Sequence, residues 1–283
     1  MAERQNGSGD NLSDTSRPTL LTIAGHDPSA GAGITADLAV FAAQGFFGTS
    51  CVTALTVQST MGVERVLATD AETLRDALHC LSVDMPPSGV KVGMLGSAAA
   101  AQAVADFLQT LELGVPVVVD PVLRSSSGRE LASPEAVEIL RKDLLRSATW
   151  ATPNIAELSL LLQRPLANRA EIEDGAAALL SLTGLQGVVV TNGDGIPPHD
   201  FVSYRDSRDE IHSRWIEGER IETQATHGTG CAFSSALLCQ LVLGKSGVDA
   251  AIAAKSYVAE AMRRATPLGR GKGPMHLLWP LDR

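Results

Sequence analysis

Basic residues are in short supply. Lys and Arg number 23 against 32 Asp and Glu, giving a net charge of −9 and a pI near 5.1. A general nucleic-acid binder needs a basic stripe to meet the phosphate backbone, so the charge argues against that class of partner. Aromatic residues make up only 4% of the chain, which leaves Ala, Val, Leu and Ile to build a core. Cysteine is sparse: Cys51, Cys80, Cys231 and Cys239. None forms a C-x-x-C pair or lies at metal-ligand spacing from a histidine, and four thiols are too few for a disulfide framework in 283 residues. No apolar run reaches the roughly 18 residues of a membrane helix. The N-terminal stretch MAERQNGSGDNLSDTSRP lacks the apolar region of a signal peptide. These absences lead us to expect a cytoplasmic protein with reduced thiols and no membrane partner. Residues 1–17 read as a solvated tail and residues 18–283 as one domain, within the size that one core supports.

What is present is an apolar chain, 45% hydrophobic and 19% charged, with a regular alternation of short runs and helical spacings. Strands are expected at Thr19–Ala24, Thr49–Val57, Val90–Met94, Val115–Val119, Thr149–Ala151 and Val188–Thr191. Helices are expected at Ile34–Gln44, Ala71–Leu81, Ala98–Leu111, after Ser133-Pro134, and at Asn154–Leu162, Ala170–Leu182, Thr229–Leu243 and Val248–Ala265. Phe201–Tyr204 and Glu210–Trp215 read as an antiparallel pair. Apolar strands alternating with helices predict an α/β fold, a mostly parallel central sheet flanked by helices on both faces. Ligands in such sheets bind beyond the carboxyl ends of the strands.

Five motifs fall at such ends. GHDPSAGAG, from Gly25 to Gly33, joins the first strand to the first helix with residues small enough for close backbone approach. It is neither a G-x-x-x-x-G-K-[ST] loop nor a clean G-x-G-x-x-G, which argues against a dinucleotide-binding oxidoreductase. THGTGC, from Thr226 to Cys231, opens a helix, where free N–H groups and the dipole form an anion cradle. The same dipole is expected to favour the thiolate of Cys231. Asp120-Pro121-Val122 ends one strand and Thr152-Pro153-Asn154-Ile155-Ala156-Glu157 follows another, with carboxylates suited to hydrated Mg²⁺. Asn154 also reads as a helix cap with Glu157 at the third position. KVGML, from Lys91 to Leu95, supplies an apolar wall through Gly93 and Met94.

In this order, LTIAGHDPSAGAGITADL, ALTVQST, KVGML, VVVDPVL, ATPNIAEL, THGTGC and GKGPMHLL resemble the hydroxymethylpyrimidine/phosphomethylpyrimidine kinases of thiamin biosynthesis, within the ribokinase-like fold. The resemblance runs from about Thr19 to about His276. It implies ATP-dependent phosphorylation of 4-amino-5-hydroxymethyl-2-methylpyrimidine and then of its monophosphate, with ATP and Mg²⁺ and in a homodimer. It further implies that Asp37 contacts the substrate, that Gln58 reads the aminopyrimidine, and that Gly25, Met94 and Val122 line the ring pocket. Cys231 matches the candidate base, with Gly228, Thr229 and Gly230 as the anion hole. Asp120, Asn154 and Glu157 match the Mg²⁺–phosphate region, and Thr191, Gly193 and Lys255 the nucleotide region.

The chain departs from the pattern in three places. Asn192-Gly193-Asp194-Gly195 stands where many members have Lys-Gly-Gly-His. Arg124-Ser125-Ser126-Ser127-Gly128 lacks the lysine many carry before Ser-Gly, and His26 replaces a common Ser or Thr. Two rival readings are a pyridoxal kinase and a pyrimidine-binding sensor with weak catalysis. Gln58 favours the aminopyrimidine over a pyridine, because a carboxamide offers a donor and an acceptor side by side. Cys231, Asp120 and Glu157 favour catalysis.

Overall fold

The computed structural model describes residues 17–282 apart from 126, 127, 194 and 196. The expected tail, apart from Arg17, lies outside the described residues, as do Ser126, Ser127 and Asp194.

Nine strands form one sheet: β1 (Thr19–His26), β2 (Phe47–Ser59), β3 (Gly62–Ala68), β4 (Gly89–Val92), β5 (Val117–Val119), β6 (Trp150–Ala151), β7 (Gly187–Val190), β8 (Asp200–Arg205) and β9 (Ile211–Ile216). Their order is β3-β2-β1-β4-β5-β6-β7-β8-β9. The pairings from β2 through β7 are parallel, while β3, β8 and β9 are antiparallel additions. Alternate residues of the central strands serve two separate cores. Leu21, Ile23, Val117, Val119, Val188 and Val190 pack with α2 (Ala71–Asp84), α3 (Ala98–Leu108), α5 (Ile155–Leu162) and α6 (Arg169–Thr183). Leu20, Val118 and Val189 pack on the other face with α1 (Gly33–Ala43), α7 (Thr229–Val242) and α8 (Gly247–Arg263). The short helix α4 (Pro134–Ile139) begins at the expected Ser133 cap, whose side chain accepts from Ala136 N–H, with Pro134 in the first turn.

The scarcity of aromatics shapes the layers. On α3, Ala100, Ala101, Ala103 and Ala105 are all buried, so helix and sheet meet through small side chains. The sequence reading missed β3. Its pattern is dominated by exposed residues, and it pairs only with the outer half of β2, from Ala54 to Ser59. A strand that buries neither face carries no hydrophobic period.

The strand order reverses beside β1: β2 lies on one side and β4 on the other. Such a switch point opens a crevice at the carboxyl ends of the strands. Gly25, Met94, Asp120, Thr152 and Thr191 all fall there, at or just past the ends of β1, β4, β5, β6 and β7.

Candidate active site

A cavity of about 1540 Å³ covers the carboxyl edge of the sheet. Of the site residues that the resemblance implies, all but Asp37 line it; Gly93, expected in the apolar wall beside Met94, instead lies against Lys91 Nζ and Ala24 in the interior.

One end is an apolar slot. A Cβ on Gly25 would lie 3.2 Å from Met94 Sδ, so the glycine lets the thioether close over β1. Val122 lies on the wall beyond Asp120, and Gln58 reaches in from the outer half of β2.

The expected anion hole, Gly228, Thr229 and Gly230, lines the same cavity. Gly228 caps α7 with φ +78 and offers no side chain to the first-turn N–H groups. A Cβ there would lie 1.8 Å from Gly31 O, so the glycine loop and the helix start are in backbone contact. The first turn of α7 therefore presents donors and a positive dipole end to the cavity.

Beneath the hole lies a buried charge cluster. Lys91 and Asp37 are both fully buried; Lys91 Nζ donates to Asp37 Oδ1 at 3.0 Å and to Oδ2 at 2.9 Å. Thr22 Oγ1 and Ser235 Oγ donate to the same carboxylate at 2.6 and 2.8 Å. These four bonds use the four acceptor sites of Asp37. The implied substrate contact through Asp37 is thereby corrected: its carboxylate faces the interior and is saturated. Burial works against the Lys91 charge, but Asp37, Cys231 and Asp120 outweigh it and hold the ammonium above its usual range.

The expected thiolate at Cys231 is also corrected. Burial pushes its thiol up to about 12, and Asp120 and Asp37 add to this against the pull of Lys91 and a bond from Gly33 N–H. A first-turn dipole does not offset that desolvation.

Asp120 and Glu157 form the acidic wall. Burial raises Asp120 to about 6, with Lys91 opposing and Asp37 adding, while Ser234 Oγ donates to it at 3.1 Å. Burial and the neighbouring Asp120 raise Glu157 to about 8. Asn154 and Glu157 form the expected capping box: Asn154 Oδ1 accepts from Glu157 N–H, and Glu157 Oε2 from Asn154 N–H, each at 2.9 Å. The cap takes one of the two lone pairs of Asn154 Oδ1, so the residue that caps α5 keeps one acceptor site on the cavity wall. Thr152 Oγ1 is buried on the same wall without a hydrogen-bond partner. Crowded hard oxygens and an orphaned hydroxyl fit a hydrated Mg²⁺.

A pH prediction follows. The raised acids stabilise the fold fully below their unfolded values near 4, and that contribution is lost as pH rises through about 6 and then about 8. A divalent cation held by the ionised pair would restore it. The rise in thermal midpoint on adding Mg²⁺ should be larger at pH 8 than at pH 5. Glu157→Gln should flatten that difference, as scanning calorimetry at the two pH values would show.

The other end of the cavity carries Thr191, Gly193 and Lys255. Lys255 Nζ donates to Asp200 Oδ2 at 2.7 Å and Pro198 O at 2.8 Å, while Asp200 Oδ1 accepts from Asn192 N–H at 2.9 Å. Lys255 therefore braces the loop that follows β7, and its charge is already paired. Arg124, which opens the stretch that lacks the lysine, pairs with Glu130 at the surface.

Two further residues were missed in the sequence. Asp27, inside the first glycine motif, and His227, inside THGTGC, meet at 2.7 Å, and His227 stands 3.0 Å from Gln58. The Asp-Pro-Ser turn and a histidine beside a glycine helix start were the available signals, but 200 residues separate the partners.

The chain matches the phosphomethylpyrimidine kinase family over residues 27–276. It belongs to that family. It is 36% identical to the hydroxymethylpyrimidine/phosphomethylpyrimidine kinase of Synechococcus elongatus over 264 residues, which is 93% of this chain and 98% of the relative. It is 38% identical to that of Rhizobium meliloti over 259 residues, 90% of this chain and 95% of the relative. Among solved structures, the phosphomethylpyrimidine kinase of Clostridium difficile superposes with a TM-score of 0.74 at 32% identity, covering 87% of this chain and 99% of its own. An ADP complex of Bacillus subtilis pyridoxal kinase gives 0.82 at 30% identity, covering 94% and 100%. The fold is that of the ribokinase-like kinases, as expected from the motifs. Among the described residues no helix is long and apolar enough to cross a membrane.

Proposed function

We propose that this member of the family transfers the γ-phosphoryl group of ATP to 4-amino-5-hydroxymethyl-2-methylpyrimidine, and then phosphorylates the product to the pyrophosphate. The observation that carries this reading is that Gln58, a paired donor and acceptor, lines one cavity with the Gly25–Met94 contact and the helix start at Gly228. A pyridine ring would leave half of the carboxamide without a partner, which favours the pyrimidine over pyridoxal.

Phosphoryl transfer passes through a loose transition state, so the protein's task is positioning and charge neutralisation. The slot orients the ring with its hydroxymethyl group toward the first turn of α7. The N–H groups of that turn receive the charge that spreads over the transferring phosphoryl oxygens. Asp120 and Glu157 would hold Mg²⁺, which supplies charge neutralisation and alignment of the triphosphate. Thr191 and Gly193 line the nucleotide end, on the loop braced by Lys255. The resemblance also implies a homodimer, which the molar mass in solution would check.

The elevated Cys231 thiol revises its part. A thiol that titrates near 12 is protonated at neutral pH and takes no proton from the alcohol. Cys231→Ala should therefore lower both phosphorylations by a similar factor, under about tenfold, because the backbone donors remain. A loss confined to the first phosphorylation would restore the base role.

Gln58→Leu tests the ring assignment. It should raise KM for the pyrimidine with little change in KM for MgATP, since losing the paired bonds costs on the order of 1–3 kcal/mol. An unchanged pyrimidine KM would remove Gln58 from the site.

A further inference from the structure

Asp27 and His227 are buried at 3% and 7% exposure beside the ring pocket, and the chemistry above assigns them nothing. Asp27 Oδ1 accepts from Ser29 N–H at 2.8 Å and Ser29 Oγ at 2.7 Å, and Oδ2 accepts from Ala32 N–H at 3.0 Å. Burial works to raise this carboxyl, but the bonds from His227 and Ser29 outweigh it and hold it below the usual range. Asp27 is thus an acceptor only. His227 Nε2, at 2.7 Å from Oδ2, must carry the proton between them.

That assignment constrains Gln58. The structure places Gln58 Nε2 3.0 Å from His227 Nε2 and Gln58 Oε1 on the side of Thr56, an orientation that sets donor against donor at His227. An Nε2–H cannot accept, so the amide atom facing it must be the oxygen, in a three-centre bond shared with Asp27. The other side of the amide leads to the same orientation independently. Thr56 Oγ1 spends its proton on His26 O at 2.9 Å. Oε1 as placed, 3.4 Å from Thr56 Oγ1, therefore meets a hydroxyl with no proton to give, and the half-turn that puts the nitrogen there gives it an acceptor. Oxygen and nitrogen exchange by a half-turn of the amide, and only one of the two half-turns satisfies both neighbours. In that orientation Gln58 keeps one lone pair on its oxygen and one N–H free. These match the amino donor and ring-nitrogen acceptor of a 4-aminopyrimidine. A 4-oxo ring presents the reverse order.

The space for this pair is built in. A Cβ on Gly31 would lie 2.2 Å from His227 Cδ2, so only glycine admits the ring at that point.

We infer that His227, held by Asp27, is a positioning residue that fixes the orientation of the Gln58 carboxamide and so selects 4-amino over 4-oxo pyrimidines. The inference rests on the assignment of Gln58 to the ring, made under the proposed function.

The test has two arms. Nitrogen NMR of the wild-type protein, free of substrate, should show His227 protonated at Nε2; an unprotonated Nε2 overturns the inference without any variant. In the second arm, kcat/KM is measured for 4-amino-5-hydroxymethyl-2-methylpyrimidine and its 4-oxo analogue. His227→Phe keeps a planar ring but no donor, and should lower the amino-to-oxo ratio about tenfold or more. His227→Gln places a donor nitrogen near the same point and should restore most of the ratio. In a Gln58→Leu background, His227→Phe should change the ratio no further. Equal losses on both substrates in His227→Phe would overturn the inference. Failure of the functional reading is distinct, because the wild type would then turn over neither pyrimidine.

Discussion

Lys91→Met should destabilise the protein by about 3–5 kcal/mol, the usual consequence of removing one partner from a buried ion pair. Lys91 and Asp37 have no exposed side-chain surface, and Asp37 without the ammonium keeps only two hydroxyl donors, Thr22 and Ser235. The lost stability comes from stranding Asp37, not from the strength of the pair. The double variant Lys91→Met, Asp37→Leu should therefore recover most of it, because a buried pair and apolar residues of similar volume are close in stability. Urea unfolding of the two variants decides the matter. A single variant as stable as wild type, or a double variant worse than the single, would contradict the account of this cluster.

Gly228→Ala should reduce kcat/KM by about 10²–10³-fold, comparable to losing an oxyanion donor in other enzymes. The substitution carries two penalties. Its φ of +78 costs an L-residue about 1–2 kcal/mol. Its Cβ would also stand 1.8 Å from Gly31 O, so the glycine loop or the start of α7 must move. Gly244→Ala separates the two. Gly244 has φ +79 but nothing within 4 Å of its Cβ position. It should lose similar stability and keep full activity. Steady-state kinetics and thermal midpoints of both variants make the comparison. An active Gly228→Ala protein would move the anion hole away from the helix start.

The legible parts of the chain were those whose signal is local. Thr19–Ala24 and Val188–Thr191 are apolar on both faces, and strands there follow from the need to bury both sides. Ser133-Pro134 and Asn154 with Glu157 announce helix starts through their own chemistry, and the structure has both. The site motifs were legible because glycines and acids cluster at the ends of such strands. What the sequence concealed depends on distant partners. Asp37 meets Lys91 from 54 positions away and Ser235 from 198, so nothing near it in the chain reveals that all its acceptors are taken. Cys231 stands at a helix start that lowers a thiol pKa in isolation, yet the burial that raises it is a property of the assembled layers. His227 lay inside a motif read for its glycines, and its partners Asp27 and Gln58 come from other elements. The strand β3 carried charges where a period was sought, because only its backbone is used.

ATP consumption by the purified protein with Mg²⁺, measured side by side with 4-amino-5-hydroxymethyl-2-methylpyrimidine, its monophosphate and pyridoxal, tests the central claim most directly. The site described here predicts turnover of both pyrimidines, with pyridoxal slower because it leaves the Gln58 amide half unpaired. Turnover of pyridoxal with neither pyrimidine accepted would contradict it.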